Sequence, residues 1–250
     1  MASSWTCSAR EDASVLKSKA QTNTNYPNIH SIGFLIFAVG NEAHLEARKN
    51  ILCLQTAFGH DANITLHRDS HLSCTWDQHG TPQQKLCWAK LMREKVLVAI
   101  RSPYDLTIMI DTDVYPNIQH KRLNEILPLL KSIFSTGITG EGQGYDIGGV
   151  YDTYWWTRPR LGHINGGWLI YRKNEAVDRF FTCVVRYMDA NPGAQEQSAY
   201  THVLDNRAMR SIHFRVFPPE WSCRGSQGGL SKECVFIHNR GHRHSCSRDT

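Results

Sequence analysis

Residues 106–113 read Leu106-Thr-Ile-Met-Ile-Asp-Thr-Asp113, a mostly apolar run that ends in two acidic residues. The apolar run predicts a strand buried on both faces, as in a parallel sheet. It ends in two carboxylates, Asp111 and Asp113, which repel each other and are costly to bury alone. Mg²⁺ or Mn²⁺, which prefer oxygen ligands, would offset that cost. The alternative is a pair of solvated carboxylates in a turn.

Strand and helix patterns alternate on the N-terminal side of this stretch. Residues 31–40 form a continuous apolar run that ends at Gly40 and predicts a buried strand. Apolar residues then recur at steps of three and four, which predicts a helix that ends at Gly59. A short strand over residues 64–67 and a helix that begins at Pro82 complete this half.

The same alternation continues on the C-terminal side. The predicted elements are a helix over 121–134 that is kinked or split at Pro128, strands over 164–171, 212–217 and 234–237, and helices after Asn174 and from Glu196. This order predicts a three-layer α/β domain with a mostly parallel sheet. Ligands of such domains bind beyond the carboxyl ends of the strands.

Glycine is concentrated between these elements. Residues 137–149 contain six glycines, and Tyr151, Tyr154, Trp155 and Trp156 follow. This composition predicts a loop with an aromatic wall rather than part of the core.

Length and composition indicate one globular domain. The 250 residues are 41% hydrophobic and 20% charged, and we expect the domain to occupy residues 29–250 after an N-terminal arm over residues 1–28. The longest apolar run, Ile32 to Val39, is far shorter than the ~20 residues of a membrane-spanning helix. We therefore expect no membrane span.

The charge is mildly positive. The net charge is +5 with histidine neutral, and +3 of it lies in residues 221–250. This excess fits an anionic ligand near the C-terminus or a solvated tail. It is small for a nucleic-acid-binding protein, and the tail lacks interleaved aromatic residues, so we expect no nucleic-acid partner.

The eight cysteines include no Cys-x-x-Cys pair. With no signal peptide visible, the first expectation is a reducing, cytoplasmic setting and buried free thiols. A Golgi lumenal domain without its anchor is the alternative, in which Cys223, Cys234 and Cys246 could form bridges.

Four ordered segments resemble the GT-A fold glycosyltransferases, and glycogenin-like retaining transferases most closely. They are Lys95 to Asp113, Ile164-Asn165-Gly166-Gly167, the Glu196-Gln197 pair, and His238-Asn-Arg-Gly241. The resemblance implies a three-layer, Rossmann-like fold that binds a nucleotide sugar. After Gly241 the sequence departs from the glycogenin-like pattern, so Arg243 or His244 would replace its phosphate-binding lysine.

The resemblance also implies roles for individual residues. Asp111, Asp113 and His238 would hold Mn²⁺ or Mg²⁺, with Asp111 also near the ribose. Lys95 would reach the sugar-phosphate side of the donor. The other implied donor contacts are Ala38, Val39, Gly166, Gly167, Gly241 and Arg243, and the implied catalytic residues are Asn165, Glu196 and Gln197. The alternatives are a core histidine for His238, an exposed helix lysine for Lys95 and a first-turn acid for Glu196.

The expected activity is metal-dependent transfer of a hexosyl or pentosyl group from a nucleoside diphosphate to a hydroxyl of a glycan, protein or small molecule. Retention is the outcome that the resemblance favours. Inversion would require Glu196, Asp146 or Asp152 as the general base. Two alternatives are a phosphatase of the haloacid dehalogenase type and a catalytically silent module that binds sugar nucleotides or glycans. We expect a soluble, cytoplasmic protein, with the lumenal domain as the alternative.

Overall fold

The computed structural model describes residues 29–69, 74, 80–136, 144–151, 164–205, 209, 212–224 and 233–238. In this part of the chain the strands are β1 (Ile32–Val39), β2 (Ile64–Asp69), β3 (Leu106–Ile110), β4 (Val114–Pro116), β5 (Ile147–Tyr151), β6 (Ile164–Arg172), β7 (Phe214–Phe217), β8 (Cys223–Arg224) and β9 (Phe236–His238). The α-helices are α1 (Gly40–Phe58), α2 (Pro82–Ile100), α3 (Ile126–Thr136), α4 (Glu175–Ala190) and α5 (Glu196–Leu204), with short 3₁₀ turns at Leu123–Glu125 and Pro219–Ser222.

The described strands form a central sheet of six in the order β2-β1-β3-β6-β5-β7. Only β6 is antiparallel to its neighbours, so the other five strands run in the same direction. A second, smaller sheet has the order β4-β9-β8. The predicted α/β fold with a mostly parallel sheet is confirmed.

Helices cover both faces of the central sheet. Along β1, Leu35 and Phe37 face the side covered by α2, α4 and α5, whereas Phe34 and Ile36 face the side covered by α1 and α3. Successive side chains of a strand point to opposite faces, so a strand buried on both sides must be apolar throughout. This is why residues 31–40 show no polar alternation.

The helix ends follow the predicted signals. Thr81 caps α2 with a capping box, and Pro82 occupies the first turn. The side chain of Asn174 accepts a hydrogen bond from the Val177 amide at the start of α4 (2.9 Å). The helix predicted over 121–134 instead begins at Ile126, after a 3₁₀ turn, and it is not split at Pro128. Pro128 lies in the first turn of α3, where its missing N–H costs little.

The prediction of a loop is wrong for residues 147–149, which belong to the buried strand β5. Its glycines allow close packing: a Cβ on Gly148 would lie 2.5 Å from the Phe217 ring, and one on Gly149 would lie 2.9 Å from Ile164. Glycine here admits neighbouring side chains rather than marking a loop. Of the predicted aromatic wall, Tyr151 is the exposed last residue of β5, whereas Tyr154, Trp155 and Trp156 lie outside the described residues.

The expectation of free thiols is also wrong. Disulfides join Cys74 to Cys87 and Cys223 to Cys234, with Cα atoms 5.9 and 5.8 Å apart. Cys53 and Cys183 are disulfide-bonded as well. The Cys223–Cys234 bridge is among those that the lumenal alternative allowed, whereas Cys74–Cys87 was not foreseen.

Two further expectations concern the ends and the membrane. The predicted arm, residues 1–28, lies outside the described residues. Among those described, no helix has both the length and the apolar character that crossing a membrane requires.

Candidate active site

A cavity of about 500 Å³ opens where β1 and β3 end. Its described lining comes from the end of β1, the first half of α1, the inner face of α2, residues 111–113, the start of α5 and His238. The site therefore lies beyond the carboxyl ends of parallel strands, as the fold predicts.

Asp111, Asp113 and His238 form one cluster in this cavity. Each offers one ligand atom, and these atoms all lie within 4.8 Å of one another. The pairing of β4 with β9 creates the cluster, because Val114, next to Asp113, lies opposite His238. Two carboxylates and an imidazole form a suitable donor set for Mn²⁺ or Mg²⁺. The residues present therefore fit the predicted cation.

His238 also affects the neighbouring carboxylate. Its Nε2 lies 3.4 Å from Asp113 Oδ1. Burial alone would raise the pKa of Asp113, but the hydrogen bond and charge of His238 outweigh burial and hold that pKa below its ordinary value. Asp113 is thus ionised at neutral pH.

Lys95 is the buried cation of the site. Its Nζ lies 2.5 Å from Asp111 Oδ1, 2.8 Å from the Gly166 carbonyl oxygen and 3.5 Å from Glu196 Oε1. Burial alone would lower the pKa of Lys95, but the charges of Asp111 and Glu196 raise it above its ordinary value. Lys95 is not the exposed helix lysine of the alternative interpretation. It is a charged group shared between two carboxylates.

Glu196 begins α5 and is buried beneath β6. Burial raises its pKa, Lys95 opposes that shift, and the charge of Asp111 adds to it, so the pKa lies above the ordinary value of a glutamate. The neighbouring residue Gln197 lines the cavity as well. Lys95, Asp111 and Glu196 thus form one network, in which Lys95 and Glu196 are buried and Asp111 is partly exposed.

The segment from Asn165 to Gly167 contacts both Glu196 and His238. Asn165 Oδ1 accepts a hydrogen bond from the Gly167 amide (2.8 Å), and its Nδ2 lies 3.5 Å from His238 Nδ1. A Cβ on Gly166 would lie 2.6 Å from Glu196 Oε1. A Cβ on Gly167 would lie 2.7 Å from His238 Cε1. Both glycines make room for side chains of the site itself.

The remaining predicted residues lie in different places. Val39 lines the cavity, whereas Ala38 is buried behind it and its carbonyl oxygen lies 3.1 Å from His44 Nε2. Gly241 and Arg243 lie outside the described residues, as does Asp152.

Asp146, one of the candidate bases, is not near the cavity. It precedes β5 and so lies at the edge of the sheet opposite the site. Its Oδ1 accepts a hydrogen bond from Asn174 Nδ2 (2.7 Å), and its Oδ2 accepts one from the His213 amide (3.0 Å). Asp146 therefore has a structural role and is not a general base.

Several lining residues were missed from the sequence. Glu42 and Glu46 enter the cavity from α1, and Trp88, Leu91 and Met92 from α2. The spacing of four between Glu42 and Glu46 would have placed them on one helix face, but surface helices show such pairs routinely.

The fold corresponds to a known class. The chain has a GT-A-like glycosyltransferase fold, as the resemblance implied. One solved structure with this fold is that of a glycosyltransferase involved in the glycosylation of the major capsid of PBCV-1. The similarity has a TM-score of 0.51 with 14% sequence identity, and it covers 84% of this chain and 94% of that chain.

Comparison of sequences gives no further relationship. No family model matches the chain, and no curated protein matches it. The relationship is thus one of fold, and the proposals below rest on the residues of the site.

Proposed function

We propose that this protein is a metal-dependent glycosyltransferase that moves a sugar from a nucleoside diphosphate to a hydroxyl acceptor. One observation carries the proposal. The Asp111, Asp113 and His238 cluster lies in a cavity of about 500 Å³ at the carboxyl edge of a glycosyltransferase fold. Cavities of that size accommodate ligands such as nucleotide sugars.

The charge of the cavity supports a requirement for a cation. Lys95 is the only lysine or arginine in its described lining. The same lining contains five carboxylates, those of Glu42, Glu46, Asp111, Asp113 and Glu196. A nucleoside diphosphate would be repelled by this surface unless a divalent cation were bound. Asp111, Asp113 and His238 would hold that cation. When bound, Mn²⁺ or Mg²⁺ would stabilise the negative charge that develops on the departing diphosphate.

Lys95 and the turn at Asp111 would orient the donor side of the site. The Lys95 ammonium group donates to Asp111 Oδ1 and to the Gly166 carbonyl oxygen, which fixes the Asp111 carboxylate in one orientation. We propose that Lys95 acts on the donor largely through Asp111 and Glu196, because little of its side chain is exposed to a ligand.

Glu196 and Gln197 would face the donor sugar. The Glu196 carboxylate is ion-paired with Lys95, which favours stabilisation of positive charge on the sugar over proton abstraction from the acceptor. This assignment is compatible with retention, in which the leaving phosphate accepts the acceptor proton. Asn165 would keep His238 in place through its 3.5 Å contact with Nδ1.

Two finer points remain predictions from the resemblance. The transferred group would be a hexosyl or pentosyl group, and the acceptor would be a glycan, a protein or a small molecule. The compartment is also a proposal. Disulfides persist in oxidising surroundings and are rare in the cytosol, so the cysteine pairs favour an oxidising compartment, as in the lumenal alternative.

A thermal-shift screen of nucleoside diphosphates and nucleotide sugars, each with and without Mn²⁺, tests this proposal. A ligand that binds only the folded state raises the melting temperature. We expect one nucleotide family to stabilise the protein only when Mn²⁺ is present, and transfer or hydrolysis of its sugar to follow.

The other candidate functions predict different results. Binding without turnover of any donor would indicate the catalytically silent module. Absence of any nucleotide effect, together with release of phosphate from phosphate esters, would indicate a phosphatase. The glycosyltransferase-like fold argues against the haloacid dehalogenase type.

A further inference from the structure

Asn50 of α1 is fully buried and points at the segment that carries the two aspartates. Its Nδ2 donates to the Val114 carbonyl oxygen (2.7 Å) and lies 3.4 Å from the Asp111 carbonyl oxygen. These two carbonyl groups flank residues 112 and 113. A single side chain thus contacts the main chain at both ends of the turn.

The orientation of this amide follows from its partners. Both partners are carbonyl oxygens, so the NH₂ group of Asn50 must face them. Its Oδ1 is then left buried without a partner among the described residues. An unpaired buried oxygen costs about 1–3 kcal/mol, a cost that a leucine of similar size would avoid. The asparagine keeps this unpaired oxygen while its NH₂ group contacts the two carbonyl oxygens that flank the turn.

Helix α1 makes a second contact with the same segment. Glu46, one turn before Asn50, accepts a hydrogen bond from the Tyr115 hydroxyl group. On the other side, the Asp111 amide donates to the Gly167 carbonyl oxygen of β6 (3.0 Å). The Asp111–Tyr115 segment is thus held between α1 and β6.

We propose that Asn50 is a positioning residue for the metal site. By holding the Asp111 and Val114 carbonyl groups, it would set the turn so that the Asp111 and Asp113 carboxylates converge with His238. Hydrogen bonds behind metal ligands commonly tune affinity in this way. This inference rests on the proposed function, because it concerns the cation which that function requires.

The test compares Asn50→Leu with a matched control, Thr107→Val. Thr107 lies near the amino end of β3, four residues before Asp111, and its buried hydroxyl group is 2.6 Å from Ser102 Oγ. Mn²⁺ alone is titrated into each folded protein, and free Mn²⁺ is measured by electron paramagnetic resonance. We expect Asn50→Leu to weaken Mn²⁺ binding by ~10–100-fold, the range for groups behind metal ligands, while Thr107→Val leaves it within ~2-fold of the parent.

The outcomes separate the two proposals. If the parent binds Mn²⁺ and a folded Asn50→Leu binds it equally well, the positioning role is wrong and the proposed function stands. If the parent does not bind Mn²⁺, the metal-dependent function fails first and this inference fails with it. Equal weakening by Thr107→Val would show a general loss of stability and overturn the inference. Asn50→Ala, which removes the donor without adding bulk, replaces Asn50→Leu if the latter does not fold.

Discussion

The Lys95 ammonium group lies 2.5 Å from the Asp111 carboxylate, at the centre of a network that also includes the buried Glu196. This contact joins α2 to the turn after β3, so the position of the helix affects the orientation of Asp111 in the candidate metal site. The five buried residues of β3 carry Asp111 to the carboxyl edge of the sheet, and Lys95 then fixes its orientation. The function proposed for the cavity depends on that arrangement.

Lys95→Met is expected to destabilise the fold and abolish transfer. It leaves the Glu196 and Asp111 carboxylates close together without their cation, and breaking a buried ion pair in this way costs about 3–5 kcal/mol. Denaturant unfolding measures the cost. Lys90→Met, an exposed change in the same helix, should leave stability nearly unchanged. Adding Glu196→Gln to Lys95→Met should restore part of the stability, because it removes the unpaired buried carboxylate. A double variant no more stable than Lys95→Met would argue against the Lys95–Glu196 ion pair.

Gly167→Ala is expected to weaken Mn²⁺ binding strongly. The added methyl group would lie 2.7 Å from His238 Cε1 and 2.9 Å from Asp111 Oδ2, so two of the proposed ligands must move. Gly149→Ala is the matched control, because its methyl group would meet Ile164 at 2.9 Å without touching a proposed ligand. Both changes should cost about 1–3 kcal/mol through overpacking. Titration with Mn²⁺ should distinguish them, and equal affinities would contradict the proposed ligand set.

Asp105 gives a prediction about pH. Its Oδ2 accepts hydrogen bonds from the His30 amide (3.0 Å), the Ser31 amide (2.9 Å) and the Ser31 hydroxyl group (3.1 Å). Burial alone would raise the pKa of Asp105, but these hydrogen bonds hold it below the ordinary 3.8. A lowered pKa means that the carboxylate stabilises the fold above pH 3.8 and loses this contribution as the pH falls through its folded value.

Asp105→Asn should therefore reduce stability by about 1 kcal/mol near neutral pH, and the difference from the parent should shrink in acid. Melting curves from pH 7 down to pH 3 measure both proteins. A difference that stays constant over this range would show that the carboxylate charge has no part in these hydrogen bonds.

The Cys223–Cys234 disulfide is expected to support the metal site. It joins β8 to the residues just before β9, and His238 is the last residue of β9. Replacing both cysteines with serine should cost about 2–4 kcal/mol, because the bridge restricts the unfolded chain. Calorimetry measures this cost, and Mn²⁺ titration should show weaker binding. Peptide mapping without reductant provides the direct check, and free thiols at both positions would contradict the structure.

The sequence predicted those parts of the fold that depend on local pattern. The features found all have a local physical cause: the apolar runs at β1 and β3, Pro82 at the start of α2, the capping residue Asn174 and the glycine after α1. The glycines of β5 were misjudged, because their reason is the packing of Phe217 and Ile164, which come from elsewhere in the chain. The Cys223–Cys234 disulfide was foreseen only in the lumenal alternative, and the Cys74–Cys87 disulfide was missed for the same reason as the glycines.

The candidate site was predicted to a similar extent. Asp111 and Asp113 stand out because charged residues end an apolar strand, and His238 followed only from the resemblance. The partners of Lys95 and the contacts of Asn50 depend on how α1 and α2 pack on the sheet, 16 to 101 residues away along the chain. No local pattern encodes such distances, so only the structure reveals them.

The most direct test of the central claim is Mn²⁺-dependent release of nucleoside diphosphate from nucleotide sugars, measured for the parent protein and for Asp113→Asn. This change keeps the size of the side chain but removes the negative charge that a cation requires. We expect the parent to release product from one donor family with Mn²⁺ and not with EDTA, and folded Asp113→Asn to be inactive under both conditions. Full activity of the parent in EDTA, or parent-like activity of Asp113→Asn, would contradict the account.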